Sequence, residues 1–537
     1  MNHDVTNQVP LFEGRNLFTS DPFLQNILAT LTENNFTELL TTFGASCGTR
    51  ERFEAGRLAN ENPPKLKSFD RFGHRTNEVE YHPSYHELMR FSMANGLHTS
   101  PWAPAPPGRL IARCAQNYMM TQVEAGHGCP ITMTFAAVPA LKAAGGAGET
   151  WIPRLLATEY DARNIPASEK SACTVGMAMT EKQGGSDVRA NQTIATPNSD
   201  GSFKLDGHKW FCSAPMSDLF LTLAKVDEQL TCFLVPRWDD KDTPNRMHIQ
   251  RLKDKVGNRS NASSEIEYHG AYAQQLGPIG RGVPTIIEMV THTRLDCVVA
   301  SASNIRLAAA HALHHAQHRR VFGQKLFEQP LMRSVLADLS LEAMASTAMA
   351  FDIASIYERN KAEPQLIPFA RLYTAIGKYW VCKRASAAVT EAMECHGGNG
   401  FVYPHLMARL YTEAPLNSIW EGSGNVICLD VLRTLSKTPE LIQTFLSYVQ
   451  NACQNVSGID TFISQLSRRM KGDSFIVEAR RIVEDMALLL QASALSKFAS
   501  PTIASSFVTA RILDRSLNLG AISSHCAIDE LIAGLEK

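Results

Sequence analysis

Glu421 stands in a segment that could move a proton. Asn417-Ser-Ile-Trp-Glu-Gly-Ser-Gly-Asn425 places one carboxylate beside Trp420 and ahead of a flexible turn. An adjacent indole can exclude water from a carboxylate and raise its pKa toward that of a useful general base. The same residue also reads as a Glu near a helix N-terminus, interacting with the macrodipole. A second segment, Met177-Ala-Met-Thr-Glu-Lys-Gln-Gly-Gly-Ser-Asp187, flanks a Gly-Gly with two hydroxyls, Thr180 and Ser186. Glycine leaves backbone N–H groups unhindered, so such a loop can approach a phosphate or the edge of a heterocycle. A plain connecting loop is the other reading. A third segment, Gly207-His-Lys-Trp-Phe-Cys-Ser-Ala214, sets a hydroxyl within three residues of Trp210. That pair could stack on and hydrogen-bond a flat aromatic cofactor, or Trp210 could be a core residue of a β domain. Finally, Arg319-Arg-Val-Phe-Gly323 follows His311, His314, His315 and His318. These histidines include i, i+4 pairs suited to a metal, but no carboxylate or cysteine in the stretch completes a site, so no metal is expected.

The elements that must hold these segments change twice along the chain. Up to about residue 175 the pattern is helix and loop, as in Asp21-to-Leu40 and Tyr85-to-Met93, with Pro-rich breaks at 62–64 and 101–107. From Cys173 to Gly282 it becomes strand-like. Gln192-to-Pro197 pairs with Phe203-to-Phe211, and Leu219-to-Val226 with Gln229-to-Pro236, as two antiparallel hairpins; Val256-to-His269 closes the block. Long amphipathic helices follow over Ile286-to-His318, Met332-to-Asn360, Ile367-to-His396 and Ser423-to-Lys437. Lys437-Thr438-Pro439 marks a boundary, and Pro501 starts a helix in the last hundred residues. Helix, a compact β block, then helix again predicts an α+β fold, mainly α, with segregated layers. No GxGxxG follows a strand, which argues against a Rossmann dinucleotide site.

Composition narrows the class. The 537 residues allow several domains at ~150 residues each. With 52 basic and 53 acidic residues the net charge is −1, which excludes polyanion binding through bulk charge but leaves room for a local basic patch. The 12 cysteines are scattered without a CxxC pair, as a reducing compartment tolerates. No stretch of ~18 uncharged apolar residues is seen and the N-terminus carries no secretory pattern, so a soluble, cytoplasmic protein without membrane contact is expected.

Taken together and in this order, the segments resemble the acyl-CoA dehydrogenase superfamily of FAD flavoproteins. The family's AMTEPxAGSD is similar to Ala178–Asp187, its GxKxWIT to Gly207–Cys212 and its RxxFG to Arg319–Gly323. Its GGxG(Y/F) resembles Gly397–Phe401, and its EGTxxI resembles Glu421–Val426. Gly56–Pro64, Cys129–Ala137, Lys182–Asp187, Lys253–Ala262 and Ser418–Asn425 resemble the AidB-type branch, named for the adaptive response to alkylation.

This resemblance implies an N-terminal helical domain (1–175), a central β-barrel-like domain (176–282), a helical bundle (283–437) and an added helical extension (438–537), assembled as a homotetramer. It implies FAD held between the β domain and the bundle. Met177, Met179, Thr180, Gly185 and Ser186 would line the flavin, and Trp210, Phe211, Cys212 and Ser213 would pass its ring. Ile419, Trp420, Gly422, Ser423, Gly424, Asn425 and Leu429 would close over it. Arg319 and Phe322 would reach it from a neighbouring subunit. Glu421 matches the base that removes the proton alpha to a thioester carbonyl. Lys182 replaces the family's Pro, Cys212 its second Thr, Trp420 its Tyr, Asn425 its Gln, and Glu394 the Gln before the Gly-Gly turn. These departures make a straight-chain acyl-CoA substrate a weaker expectation.

The branch further implies binding of double-stranded DNA through the C-terminal extension, with at most slow acyl-CoA dehydrogenation. Sequence-independent DNA binding needs clustered cations. Arg468, Arg469, Arg480, Arg481, Arg511 and Arg515 are the candidates, the last two spaced to share a helix face. Acids such as Glu478, Glu484, Asp485 and Asp514 offset them, so a solvated mixed-charge face is the competing reading. An ordinary metabolic acyl-CoA dehydrogenase acting on a short or branched acyl-CoA is the alternative function. Nitroalkane oxidation is a weaker one, since that branch uses Asp where Glu421 stands.

Overall fold

The computed structural model describes residues 3–535 apart from 34, 404, 455 and 472–474. Its chain forms two compact units: residues 51–106 with 123–293, and residues 1–50 with 107–122 and 294–537.

The first unit carries the strands. A short hairpin, β1 (Lys65–Phe69) and β2 (Arg75–Glu80), precedes a sheet of β3 (Val175–Ala178), β4 (Ile194–Pro197), β5 (Phe203–Ser213), β6 (Leu219–Val226), β7 (Gln229–Pro236), β8 (Met247–Leu252) and β9 (Ser263–Leu276). The ring β6-β4-β5-β9-β7 is closed by pairing of β6 with β7, which makes a barrel; β3 adds to it beside β6 and β8 beside β9. Closure removes the edges that an open sheet leaves unpaired. β6 and β7 join through Asp227 and Glu228, both at positive φ, the backbone that a two-residue hairpin requires. Leu205, Phe220, Phe233, Ile266 and Tyr268 fill the interior, each removed from water.

The segment Val256-to-His269, expected to close the strand block, is a loop in its first half and the start of β9 from Ser263. Asn258 sits at φ +55 in a connecting loop, and the strands that flank this loop are β8 and β9. The first hairpin leaves little signal in the sequence because β1 and β2 are short and rich in charge. Tertiary packing holds it: Leu66 and Val79 pack on the barrel core, and Asp70 Oδ1 accepts from the N–H groups of Phe72 and His74 in the turn.

The second unit is helical. The Gly282–His318 helix contributes its residues from Arg294 onward, followed by Pro330–Arg359, Ile367–Glu394 and Gly424–Lys437. Glu440–Ala452, Ile459–Met470, Ala479–Phe498 and Pro501–Val508 continue the chain. The single helix expected over Asp21-to-Leu40 is two, Pro22–Thr32 and Thr37–Cys47, because Glu33 turns left-handed at φ +50. Among the described residues one helix, Pro330–Arg359, is long and apolar enough to cross a membrane by length and composition. Of its most apolar window 94% is buried in the protein, as in a core helix. Arg113 and Asp296 form a fully buried, two-pronged ion pair in this unit.

Candidate active site

In the strand unit, β3 delivers Met177 and leads into the 179–187 loop, which turns tightly where the Gly184 N–H donates to the Glu181 carbonyl at 3.0 Å. Gly185 is required by space: a Cβ there would lie 2.5 Å from Thr180 Oγ1. Beneath the loop, Glu181 is buried. Its carboxylate accepts from Lys209 Nζ at 2.9 Å, Thr193 Oγ1 at 2.6 Å, the Thr193 N–H at 3.1 Å and the Gln192 N–H at 2.6 Å. Burial pushes the carboxyl upward, but Lys209 and these donors outweigh it and hold Glu181 below its ordinary value. Burial drives Lys209 down to about 8 against the pull of Glu181. The pair anchors the loop to β5 from below, and the Trp210 N–H, donating to the Thr180 carbonyl at 2.8 Å, ties it from above.

A bulge in β5 decides which side chains it presents. Pairing with β9 runs unshifted from Asp206↔His269 to Lys209↔Ile266 and resumes at Cys212↔Ser264. The register shift between them lets Trp210 and Phe211 both avoid the core, the re-aiming that bulges provide. Phe211 is 53% exposed. Trp210 is half-buried with Lys253 Nζ 3.5 Å above its ring. Cys212 returns to the core, where burial pushes its thiol up to about 12. With its side chain turned inward, Cys212 has only its main chain to offer to a flavin passing this strand. Ser213, half-buried, shares a 2.9 Å hydrogen bond with Ser263. Met179 is fixed through its carbonyl, which accepts from Asn191 Nδ2 at 2.9 Å, and Ser186 is exposed. The structure thus brings Thr180, Gly185, Ser186, Trp210, Phe211 and Ser213 into one neighbourhood.

In the helical unit, Glu421 occupies the left-handed region at φ +59, followed by Gly422 at φ +106. It precedes Ser423, the N-cap of the Gly424–Lys437 helix, so it lies outside that helix and is not a first-turn acid. Three groups hold the turn. Arg294 Nε donates to the Glu421 carbonyl at 2.9 Å while its Nη1 reaches Asp430 at 3.1 Å. Lys378 Nζ donates to the carbonyls of Trp420, at 2.7 Å, and Gly422. Trp420 Nε1 donates to Asn417 Oδ1 at 2.8 Å, and Asn417 Nδ2 to Ser301 Oγ at 3.0 Å. Burial holds Lys378 below its ordinary value. Around Glu421 the side chains of Ile419, Ser423, Asn425 and Leu429 are exposed.

Arg294 and Lys378 were missed as anchors. Lys378 has no local signal, being one lysine within an apolar helix. Glu181 and Lys209 sit inside the motifs, but nothing in their spacing reveals that they pair.

Arg319 Nη1 donates to the Asn7 carbonyl at 2.5 Å. Phe322, at φ +50 on the tip of a tight hairpin, is 95% exposed. Among the C-terminal cations Arg469, Arg511 and Arg515 pair with acids, while the exposed Arg480 meets a neutral amide. Arg511 meets Asp338 at 2.5 Å and Glu342 at 3.2 Å, and Arg515 meets Glu484. Arg469 meets Asp485 at 3.1 Å, and Arg480 Nε donates to Asn425 Oδ1 at 2.8 Å. Pairing with acids means that Arg469, Arg511 and Arg515 do not present their full charge to solvent. Nor do Arg511 and Arg515 share a helix face: the helix widens over Thr509–Leu513 and ends at Asp514. Arg468 and Arg481 stay exposed.

A flavin fits the residues present. Within the strand unit, the tight loop at Gly185, the outward Phe211 and the hydroxyls of Thr180, Ser186 and Ser213 supply apolar surface and hydrogen-bonding groups; within the helical unit, Ile419, Asn425 and Leu429 are exposed beside Glu421.

Three family descriptions match successive parts of the chain: the adaptive response protein AidB N-terminal domain over 7–162, the acyl-CoA dehydrogenase middle domain over 176–271 and its C-terminal domain over 280–436. The chain is 40% identical to the Escherichia coli (strain K12) protein AidB over 507 residues, 94% of this chain and 93% of that one. The crystal structure of Caenorhabditis elegans ACDH-11 in complex with C11-CoA superposes with a TM-score of 0.87 at 26% identity, covering 94% of this chain and 93% of that one. An acyl-CoA dehydrogenase of Bacillus anthracis complexed with FAD shares the fold, with a TM-score of 0.65 at 16% identity over 93% of this chain and 84% of that one. The chain belongs to the acyl-CoA dehydrogenase family of FAD-dependent oxidoreductases, in its AidB branch.

Proposed function

We propose that the protein oxidises the Cα–Cβ bond of an acyl-CoA thioester, slowly, with Glu421 as the base. FAD supplies the acceptor for the hydride when bound. Glu421 removes the proton alpha to the carbonyl, and Arg294 and Lys378 fix the main chain on which that carboxylate is carried. Thr180, Ser186 and Ser213 would hydrogen-bond the cofactor, and Phe211 would cover its ring. The observation that carries this reading is the position of Glu421 in a strained, three-way-anchored turn, since such strain persists only where the surroundings over-determine it. The likeness to ACDH-11 in complex with C11-CoA supports an acyl-CoA as the substrate class.

A panel of acyl-CoAs with an artificial electron acceptor tests it. Turnover that vanishes in Glu421→Gln, with visible flavin absorbance retained, is expected. Turnover unaffected by that change overturns the assignment. Rates above about 1 s⁻¹ on one short or branched acyl-CoA would favour a metabolic enzyme instead.

A second reading, duplex DNA binding in an alkylation response, is supported by the branch assignment and by Arg468 and Arg481, which remain exposed. A salt-dependent shift of duplex DNA, weakened in Arg468→Ala/Arg481→Ala, is expected. A cytoplasmic homotetramer completes the proposal. Phe322, exposed on its hairpin, supports an intersubunit role, and the twelve cysteines, with no disulfide among the described residues, support a reducing compartment.

A further inference from the structure

The strand unit contains a cavity of about 460 Å³ that the proposed chemistry does not use. It is walled by the first hairpin, by the helix Pro83–Ala94 and by the segment after β5. Its chemistry is one-sided. Aromatic rings form one wall: Tyr81 and Tyr85 stack at 4.2 Å, and Tyr160 lies 5.9 Å from His86 in a second stack. Every charge on the lining is negative, because no lysine or arginine contributes to it. Burial and nearby Arg90 hold His86 below its ordinary value, so the imidazole is uncharged near neutral pH.

Two groups on this lining have no direct hydrogen-bonded or ion-paired partner among the described residues, although Glu78 lies in the field of buried Arg237 and of Lys67 across the hairpin. Asp218 is committed to Lys170 at 2.7 Å, Asp161 to Arg163 at 2.6 Å, and Glu80 to Lys67. Glu78 makes no ion pair among the described residues. Ser217 is 3% exposed, and its Oγ has no hydrogen-bond partner. A buried hydroxyl without a partner costs roughly 1–3 kcal/mol, so an unsatisfied one lining a cavity points to a ligand that satisfies it.

We propose that this cavity binds a small organic ammonium compound bearing a hydroxyl or carbonyl. The tyrosine faces would take the cation through their quadrupoles, Glu78 would balance its charge, and Ser217 Oγ would meet its polar end. This site stands independently of the acyl-CoA reading, because none of its residues belongs to the Glu421 turn or to the 177–186 loop.

Isothermal titration of the full-length protein at fixed ionic strength tests the idea, with three probes of similar shape: choline, tetramethylammonium and the neutral 3,3-dimethyl-1-butanol. Choline is expected to bind saturably in the millimolar range, and the neutral isostere at least about tenfold more weakly, in line with cation–π and ion-pair attraction. Glu78→Gln should weaken both cations about tenfold, and Ser217→Ala should bring choline to the level of tetramethylammonium. Both variants should keep the parent melting temperature and flavin content, which separates loss of the site from loss of the fold. Equal binding of the neutral isostere, unchanged affinity in Glu78→Gln, or no saturable heat with choline would each overturn the proposal.

Discussion

Arg294 grips the main chain of Glu421, its Nε donating to the Glu421 carbonyl at 2.9 Å while Asp430 accepts from the same guanidinium at 3.1 Å. The base is thus placed through its backbone, at a φ of +59 that a non-glycine residue adopts only under constraint. Arg294→Gln should release the turn. We expect kcat to fall about 10-fold with little change in KM, because orientation and not substrate binding is lost. Single-turnover reduction of the flavin by substrate would report it directly.

Glu421→Gln keeps the shape of the turn and removes the base. Flavin reduction should slow by about 10²–10⁴-fold, the usual contribution of general base catalysis. Substrate binding, followed by perturbation of the flavin spectrum, should persist.

Lys378 links the carbonyls on either side of Glu421 from within an apolar helix. Lys378→Met leaves two carbonyls without their donor, at roughly 1–3 kcal/mol for each that stays buried. A lower melting temperature together with a lower kcat is expected. An unchanged melting temperature would mean that water replaces the ammonium.

The ion pair beneath the 179–187 loop should be more costly to break than to replace. Lys209→Met alone leaves Glu181 uncompensated among its donors, at about 3–5 kcal/mol. Glu181→Gln/Lys209→Met should recover part of that stability, and thermal melts of the three proteins would show it. Flavin retention should follow the same ranking, since the loop rests on this pair.

Glu124 provides a pH test. Burial pushes its carboxyl up, but hydrogen bonds from His127 and Asn60 with the charge of His127 outweigh it, holding Glu124 at about 2 against an ordinary 4.5. A depressed carboxyl contributes stability that is present above its ordinary value and is lost as pH falls toward the depressed one. The contribution is about 3 kcal/mol, lost between roughly pH 4.5 and 2. Urea melts of Glu124→Gln should therefore show lower stability at pH 7 and a shallower decline on acidification.

The sequence by itself determined the long helices, the β6–β7 hairpin and the segments around Thr180, Trp210 and Glu421. These follow from hydrophobic period, turn residues and ordered motifs, all local in the chain. The family assignment drawn from those motifs agrees with the matched domains. Tertiary structure decided what distance in sequence conceals. The β5 bulge sends Phe211 outward and Cys212 inward, a choice set by pairing with β9 and invisible in the alternation of β5 itself. Arg511 and Arg515 read as surface cations until Asp338, Glu342 and Glu484 arrive from other helices to neutralise them. Lys378, in a helix some forty residues before the turn it holds, becomes an anchor only because packing leaves it among carbonyls with no other donor. Charge and polarity in a sequence state what a side chain can bond to; the partner that the fold brings to it settles what it does.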